Sequence, residues 1–167
     1  SNDENTGEPE NPRTPVLYQR PAKPVQTTQK QAPTNAAYRP LADMTPPEKE
    51  AEYDENDTAI LALATRINEL ERKIADAETM LSTQTPVLTE KATILGKMNG
   101  ASRAWKEENG LDTDAKRIAF RQSHTELSTA LRLLKESLPE LRETLSAQQT
   151  LRAALQERNE SLLANLE

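Results

Sequence analysis

From Leu127 onward leucine returns at steps of three and four residues, through Leu131, Leu134, Leu138, Leu141 and Leu145, and the same phase is resumed at Leu155, Leu162 and Leu166. Such spacing places one apolar side chain per turn on a narrow stripe of an α-helix, the seam along which helices pair in a coiled coil. An isolated helix gains little from propensity alone. The stripe therefore demands a cover, from another part of the chain or from a second copy.

A matching stripe lies upstream at Ile60, Leu63, Ile67, Leu70, Ile74, Ala77 and Leu81, continuing through Leu88 and Leu95 to Met98. Ile at the a positions and Leu at d resembles a two-stranded seam, which Ala77, Gln84 and Lys91 weaken at later d positions. Register persists across Pro86, so a kinked helix is expected there rather than a turn. The first long helix is expected over 57–98, capped by Asn56 or Asp57, and the second over about 113–165, opened by Asp112 or Thr113. Gly96, Asn99, Gly100, Asn109 and Gly110 bracket a tip at 99–112. Within it, residues 101–108 are expected to form two turns capped by Ser102 and closed by Gly110 in a Schellman ending, with Trp105 and Leu111 at the positions of its apolar contact.

These elements predict an all-α fold: a long antiparallel helical hairpin of coiled-coil type over 57–167, with residues 1–56 as an extended, intrinsically disordered arm. The competing fold treats Pro86, Gly110 and Pro139 as breaks and gives a four-helix bundle. Unbroken register favours the hairpin. Polar residues at His124, Gln148, Arg152 and Asn159 interrupt the second seam, where such residues fix register or strand number at some loss of stability. Pairing Met98 with Thr113 and Ile60 with Leu151 would exhaust the first helix, leaving Leu155, Leu162, Leu163 and Leu166 uncovered as a partner-binding stripe.

The arm is set apart by composition. Nine of the eleven prolines lie between Pro9 and Pro47, and residues 1–57 carry six Lys/Arg against eleven Asp/Glu, whereas 58–167 carry fifteen against sixteen. With so little apolar clustering the arm cannot offset the entropy of ordering. Two islands stand out: Val16-Leu17-Tyr18-Gln19-Arg20-Pro21 and Ala36-Ala37-Tyr38-Arg39-Pro40-Leu41. Leu17, Tyr18, Arg20, Tyr38, Arg39 and Leu41 are the expected partner contacts, with tyrosine as anchor and proline limiting the entropy lost. Thr45-Pro46-Pro47-Glu48 reads as a helix start, for a short lead-in over 46–55.

Several chemistries find no material. There is no cysteine, and a single histidine supplies neither a metal-binding pair nor an acid/base dyad. His124 falls on the seam and reads as an interface residue. No cofactor is expected. The acidic balance, with no basic run, argues against nucleic acid, and no apolar run reaches membrane-spanning length. The expected function is a non-enzymatic structural or assembly protein binding other protein subunits or a coiled-coil partner, as a homo-oligomer or within a virion or secretion machine. The alternative is a transient assembly chaperone or regulatory adaptor that binds a client helix. Ser1 suits a chain that has lost its initiator methionine, which favours a cytoplasmic or particle-associated protein over a periplasmic one.

Overall fold

A computed structural model describes residues 38–166, whose regular elements are all helical. A 3-10 turn at Leu41–Asp43 precedes α1 (Pro46–Met98), the short α2 (Arg103–Glu108) and α3 (Asp114–Leu166). No strand occurs among the described residues. The fold is thus all-α, and its described residues fall into two compact units, one of 38–75 with 139–166 and the other of 76–138.

The start of α1 is fixed by a reciprocal cap. The Thr45 amide donates to Glu48 Oε1 at 2.8 Å, and the Glu48 amide donates to Thr45 Oγ1 at 3.3 Å. Two of the first turn's orphan donors are thereby satisfied, while Pro46 and Pro47 bring preset φ angles to positions that need no amide hydrogen. The helix then continues through Asn56 and Asp57 without a break, starting about three turns earlier than the expected 57. Asn56 is no cap. Its side chain is buried inside the unit, 8% exposed.

Neither later proline ends its helix. Proline withholds a hydrogen bond from the carbonyl four residues earlier, here those of Ser82 and Lys135. Pro86, Pro139, Ser82 and Lys135 are all exposed, so each orphaned carbonyl belongs to a solvent-facing residue that water can serve. Of the three breaks the four-helix alternative assumes, those at Pro86 and Pro139 therefore do not occur, and only Gly110 ends a helix.

In the unit of 38–75 and 139–166, α1 and α3 run in opposite directions. Lys49 Nζ donates to the Asn165 carbonyl at 3.4 Å, Asn56 pairs with Asn159 at 3.0 Å, and Arg66 Nε donates to Gln148 Oε1 at 3.3 Å. Ile60 therefore falls level with about Leu155, one turn beyond the expected Leu151. Leu63, Ile67, Ile74, Leu141, Leu155 and Leu162 are buried here. The uncovered stripe expected at the end of α3 is accordingly absent at two of its leucines: Leu155 is 9% exposed and Leu162 is 0%. The added turns of α1 provide the cover. Leu166 is half-buried, and Leu163 faces solvent.

In the unit of 76–138, Ala77, Met98, Leu111, Leu127, Leu131, Leu134 and Leu138 form the core. The weak seam position Lys91 is filled by an amphipathic solution: its ammonium donates to Ser123 Oγ at 3.1 Å and lies 4.9 Å from the Phe120 ring centroid. Ser102 caps α2 by accepting from the Trp105 amide at 3.1 Å. Its far end closes with Leu111 N–H on the Lys106 carbonyl at 2.7 Å and Gly110 N–H on the Glu107 carbonyl at 3.2 Å, the two bonds of a Schellman motif. Gly110 has φ +68°, as that motif requires. Thr113 caps α3 by accepting from the Lys116 amide at 3.1 Å.

Gly110→Ala leaves no clash, since nothing lies within 4 Å of the added carbon, but it forces a side chain into the left-handed region. Chemical denaturation is expected to show a loss of about 1–2 kcal/mol for this change and little for Gly100→Ala, where φ is not positive.

Candidate functional site

The most elaborate polar arrangement among the described residues lies where the chain before α1 meets the end of α3. It begins with the buried amides. Asn159 accepts from Asn56 Nδ2 and donates its own Nδ2 to the Tyr53 carbonyl at 3.3 Å, so both polar ends of this side chain are used. Glu52 sits one helical turn before Asn56, and Arg158 is the neighbour of Asn159. The register that joins the amides thus brings Glu52 to Arg158.

The resulting ion pair is forked. Arg158 Nε donates to Glu52 Oε2 at 2.6 Å and Nη2 to Oε1 at 3.2 Å, with side-chain exposures of 9% and 22%. A bidentate guanidinium–carboxylate pair combines charge with fixed geometry, and removing either partner would strand the other in a largely dry setting. The same Nη2 reaches the Arg39 carbonyl at 2.9 Å and Met44 Sδ at 3.5 Å. The guanidinium carbon also lies 4.5 Å from the Tyr38 ring centroid. One side chain thus holds Tyr38, Arg39 and Met44 against its own helix.

Local bonds complete the clasp. Arg39 Nη1 donates to Glu48 Oε2 at 3.0 Å and Nη2 to the Asp43 carbonyl at 2.7 Å, while the 3-10 turn is closed by Asp43 N–H on the Pro40 carbonyl at 3.0 Å. The Glu48 carboxyl is held below its ordinary range, chiefly by the Thr45 amide and next by Arg39. Tyr38 presents the opposite case. Burial raises its phenol first, the Glu52 charge raises it further, and Arg158 opposes both. Its hydroxyl is buried with no hydrogen-bond partner. A groove of about 430 Å³ opens here, lined by Tyr38, Arg39, Leu41, Glu157, Arg158 and Ser161 among others.

Of the residues singled out in the sequence, Tyr38, Arg39 and Leu41 are brought together, on this chain's own helices. Leu17, Tyr18 and Arg20 lie outside the described residues. Leu155 and Leu162 are interior, and Leu166 is half-buried, as are His124 and Arg152. Gln148 and Asn159 are buried and bonded, as register-setting seam residues should be. Glu52 and Arg158 escaped notice, and Asn56 has a role other than the cap expected of it. Counting one heptad back from Leu63 would have placed Asn56 on the seam, whereas nothing in the spacing marks Arg158.

Chemically, the site can grip a short peptide segment through cation–π stacking, carbonyl acceptors and ion pairs. Among the described residues, no group of three or more His, Asp or Glu is placed to hold a metal ion, and no helix is long and apolar enough to cross a membrane. No family model, curated protein or solved structure matches the chain.

Asn159→Ala strands the Asn56 amide in the core and should cost about 1–3 kcal/mol by denaturant titration, whereas replacing both residues with leucine should recover most of that loss. The fold retains Tyr38 in its protonated form. Its contribution is therefore complete below the ordinary phenol value of 10.0 and is lost as pH rises through the raised one. In a Tyr18→Phe/Tyr53→Phe background, ultraviolet titration should show the remaining phenol ionising above free tyrosine. Adding Glu52→Gln should bring it down, because a raising charge is removed and Arg158 is left uncompensated.

Proposed function

We propose that this chain is a non-enzymatic structural or assembly protein. Its body is a long antiparallel helical hairpin of coiled-coil type, and its N-terminal arm binds other protein subunits of a larger complex. The observation that carries this reading is the clasp at Tyr38–Met44. A purely solvated tail needs no fixed root, yet here a nearly buried arginine, an ion pair and an aromatic stack are devoted to holding one. Pinning the root reduces the conformational freedom that residues 1–37 lose when they engage a partner, which is how preorganisation strengthens binding.

Two features agree with a structural role. Buried amides in the seam specify one register over its alternatives, a property useful in a part that must present its arm at a defined place. The described helices bear only scattered exposed apolar side chains, Leu61, Val87, Ile118, Leu133 and Leu163, as a body that stays soluble between subunits requires. The alternative is a transient chaperone or regulatory adaptor that binds a client helix; burial of Leu155 and Leu162 leaves such a helix less apolar surface at the end of α3, which favours the structural reading. In the favoured reading the protein works in the cytoplasm or on a particle, such as a virion or secretion machine.

Copy number separates the two roles. A tagged chain recovered with its complex should be present at one fixed ratio to the other subunits in every preparation, and a chain beginning at Thr45 should keep its helicity by circular dichroism yet fail to be incorporated. A variable, substoichiometric ratio would identify a chaperone, and normal incorporation of the shortened chain would remove the arm from the function.

A further inference from the structure

A second groove lies on the opposite flank of α3 from the clasp. It measures about 420 Å³, close to the 430 Å³ of the first, and is lined by Tyr53, Asp57, Ile60, Gln156, Asn159, Glu160 and Leu163. Its lining joins apolar Tyr53, Ile60 and Leu163 to two acids, Asp57 and Glu160. Leu163 is 49% exposed, and neither acid has an ion-pair partner among the described residues.

The first groove is walled on one side by a segment of this chain, which shows what kind of segment these helices hold against themselves. There Tyr38-Arg39-Pro40 lies against the helices, its tyrosine stacked on a guanidinium and its arginine paired with Glu48. The chain holds one more segment of this kind, Leu17-Tyr18-Gln19-Arg20-Pro21. Charge points the same way. Residues 11–37 contain four Lys/Arg and no Asp/Glu, while residues 43–57 contain seven Asp/Glu and one Lys. Distance is no obstacle, because a chain the length of that between Arg20 and Tyr38 spans about 24 Å on average. Each helix to be rounded is only about 10–12 Å across.

We propose that the groove of Tyr53, Ile60 and Leu163 is the docking site of residues 16–20 of the same chain, with Leu17 and Tyr18 on the apolar side chains and Arg20 between Asp57 and Glu160. The free protein thereby keeps its partner-binding segment folded back on its own body. Tethering raises the segment's effective concentration to about the millimolar range, so that even weak contacts fill the groove until a partner competes. This rests on the reading of the arm as a docking element.

Because the chain contains no cysteine, the contact can be trapped directly. The full-length Leu17→Cys/Leu163→Cys protein, oxidised mildly, should give an intrachain disulfide at monomer mobility. It should form about tenfold faster than in Leu17→Cys/Ser146→Cys, whose second thiol lies about 25 Å further along α3. The rate should not depend on protein concentration. Adding Asp57→Lys and Glu160→Lys should slow it about tenfold, since the replacements repel Arg20. Disulfide-linked dimers as the main product would assign the groove to a second copy and overturn the proposal, as would equal rates for the two cysteine pairs. Circular dichroism of each variant keeps unfolding from passing as a negative result. Failure here leaves the fixed copy number and the need for the arm in assembly unaffected, because those are read on the complex and this on the free chain.

Discussion

A buried amide must find another polar group, and in the unit of 38–75 and 139–166 that requirement governs everything near the arm. Asn56 and Asn159 satisfy one another only in one alignment of α1 on α3. Sliding the helices by one turn would leave two amides dry and unpaired, at about 1–3 kcal/mol each. Leucines alone would be less discriminating, since neighbouring turns offer nearly equivalent holes. The amides choose the register, and the register puts Glu52 beside Arg158. Only then does Arg158 have a fixed position from which to grip Tyr38, Arg39 and Met44.

The unit of 76–138 meets a similar problem with different material. Lys91 stands where an ideal seam would have an apolar side chain, and Ser123 is buried beside it. Here the lysine stem packs while its ammonium takes a hydroxyl and the face of Phe120. Pro86 and Pro139 remain inside their helices for a related reason. They and the residues whose carbonyls they orphan are exposed, so the lost hydrogen bonds face water rather than a dry interior. Seam composition decides where polarity is tolerated, and solvent exposure decides where proline is.

The arm root gives the proposed function its physical content. Stacking Tyr38 on Arg158 and tying Arg39 to Glu48 restricts the chain where it leaves the helices, which lowers the entropy that a docking segment must lose. A buried phenol without a partner is a price the site carries for this. The clasp is thus expected to weaken in alkali, whereas the Thr45–Glu48 cap is expected to weaken in acid. Glu48 has its carboxyl held below the ordinary range, so its contribution is present above that range and is lost as pH falls through the lowered value.

Much of this fold was legible in the residues. The leucine and isoleucine spacing determined two long helices, because a period of three and four has no other stable use. Gly110, Ser102 and Thr113 determined the ends around α2, since caps depend on local backbone geometry. Gln148 and Asn159 were visible as polar members of an apolar stripe. What the sequence could not decide was extent and pairing. Asn56 and Asp57 look like a cap, and Thr45-Pro46-Pro47-Glu48 looks like the start of a separate short helix. Nothing local tells whether the two segments join, because residues 48–57 can form either a lead-in or the first turns of a longer helix. Tertiary packing settled it: those turns cover Leu155 and Leu162, and the burial gained outweighs any local preference for a break. The Arg158–Glu52 pair was likewise illegible, since its partners are far apart in the chain and meet only once the register between two helices has been chosen.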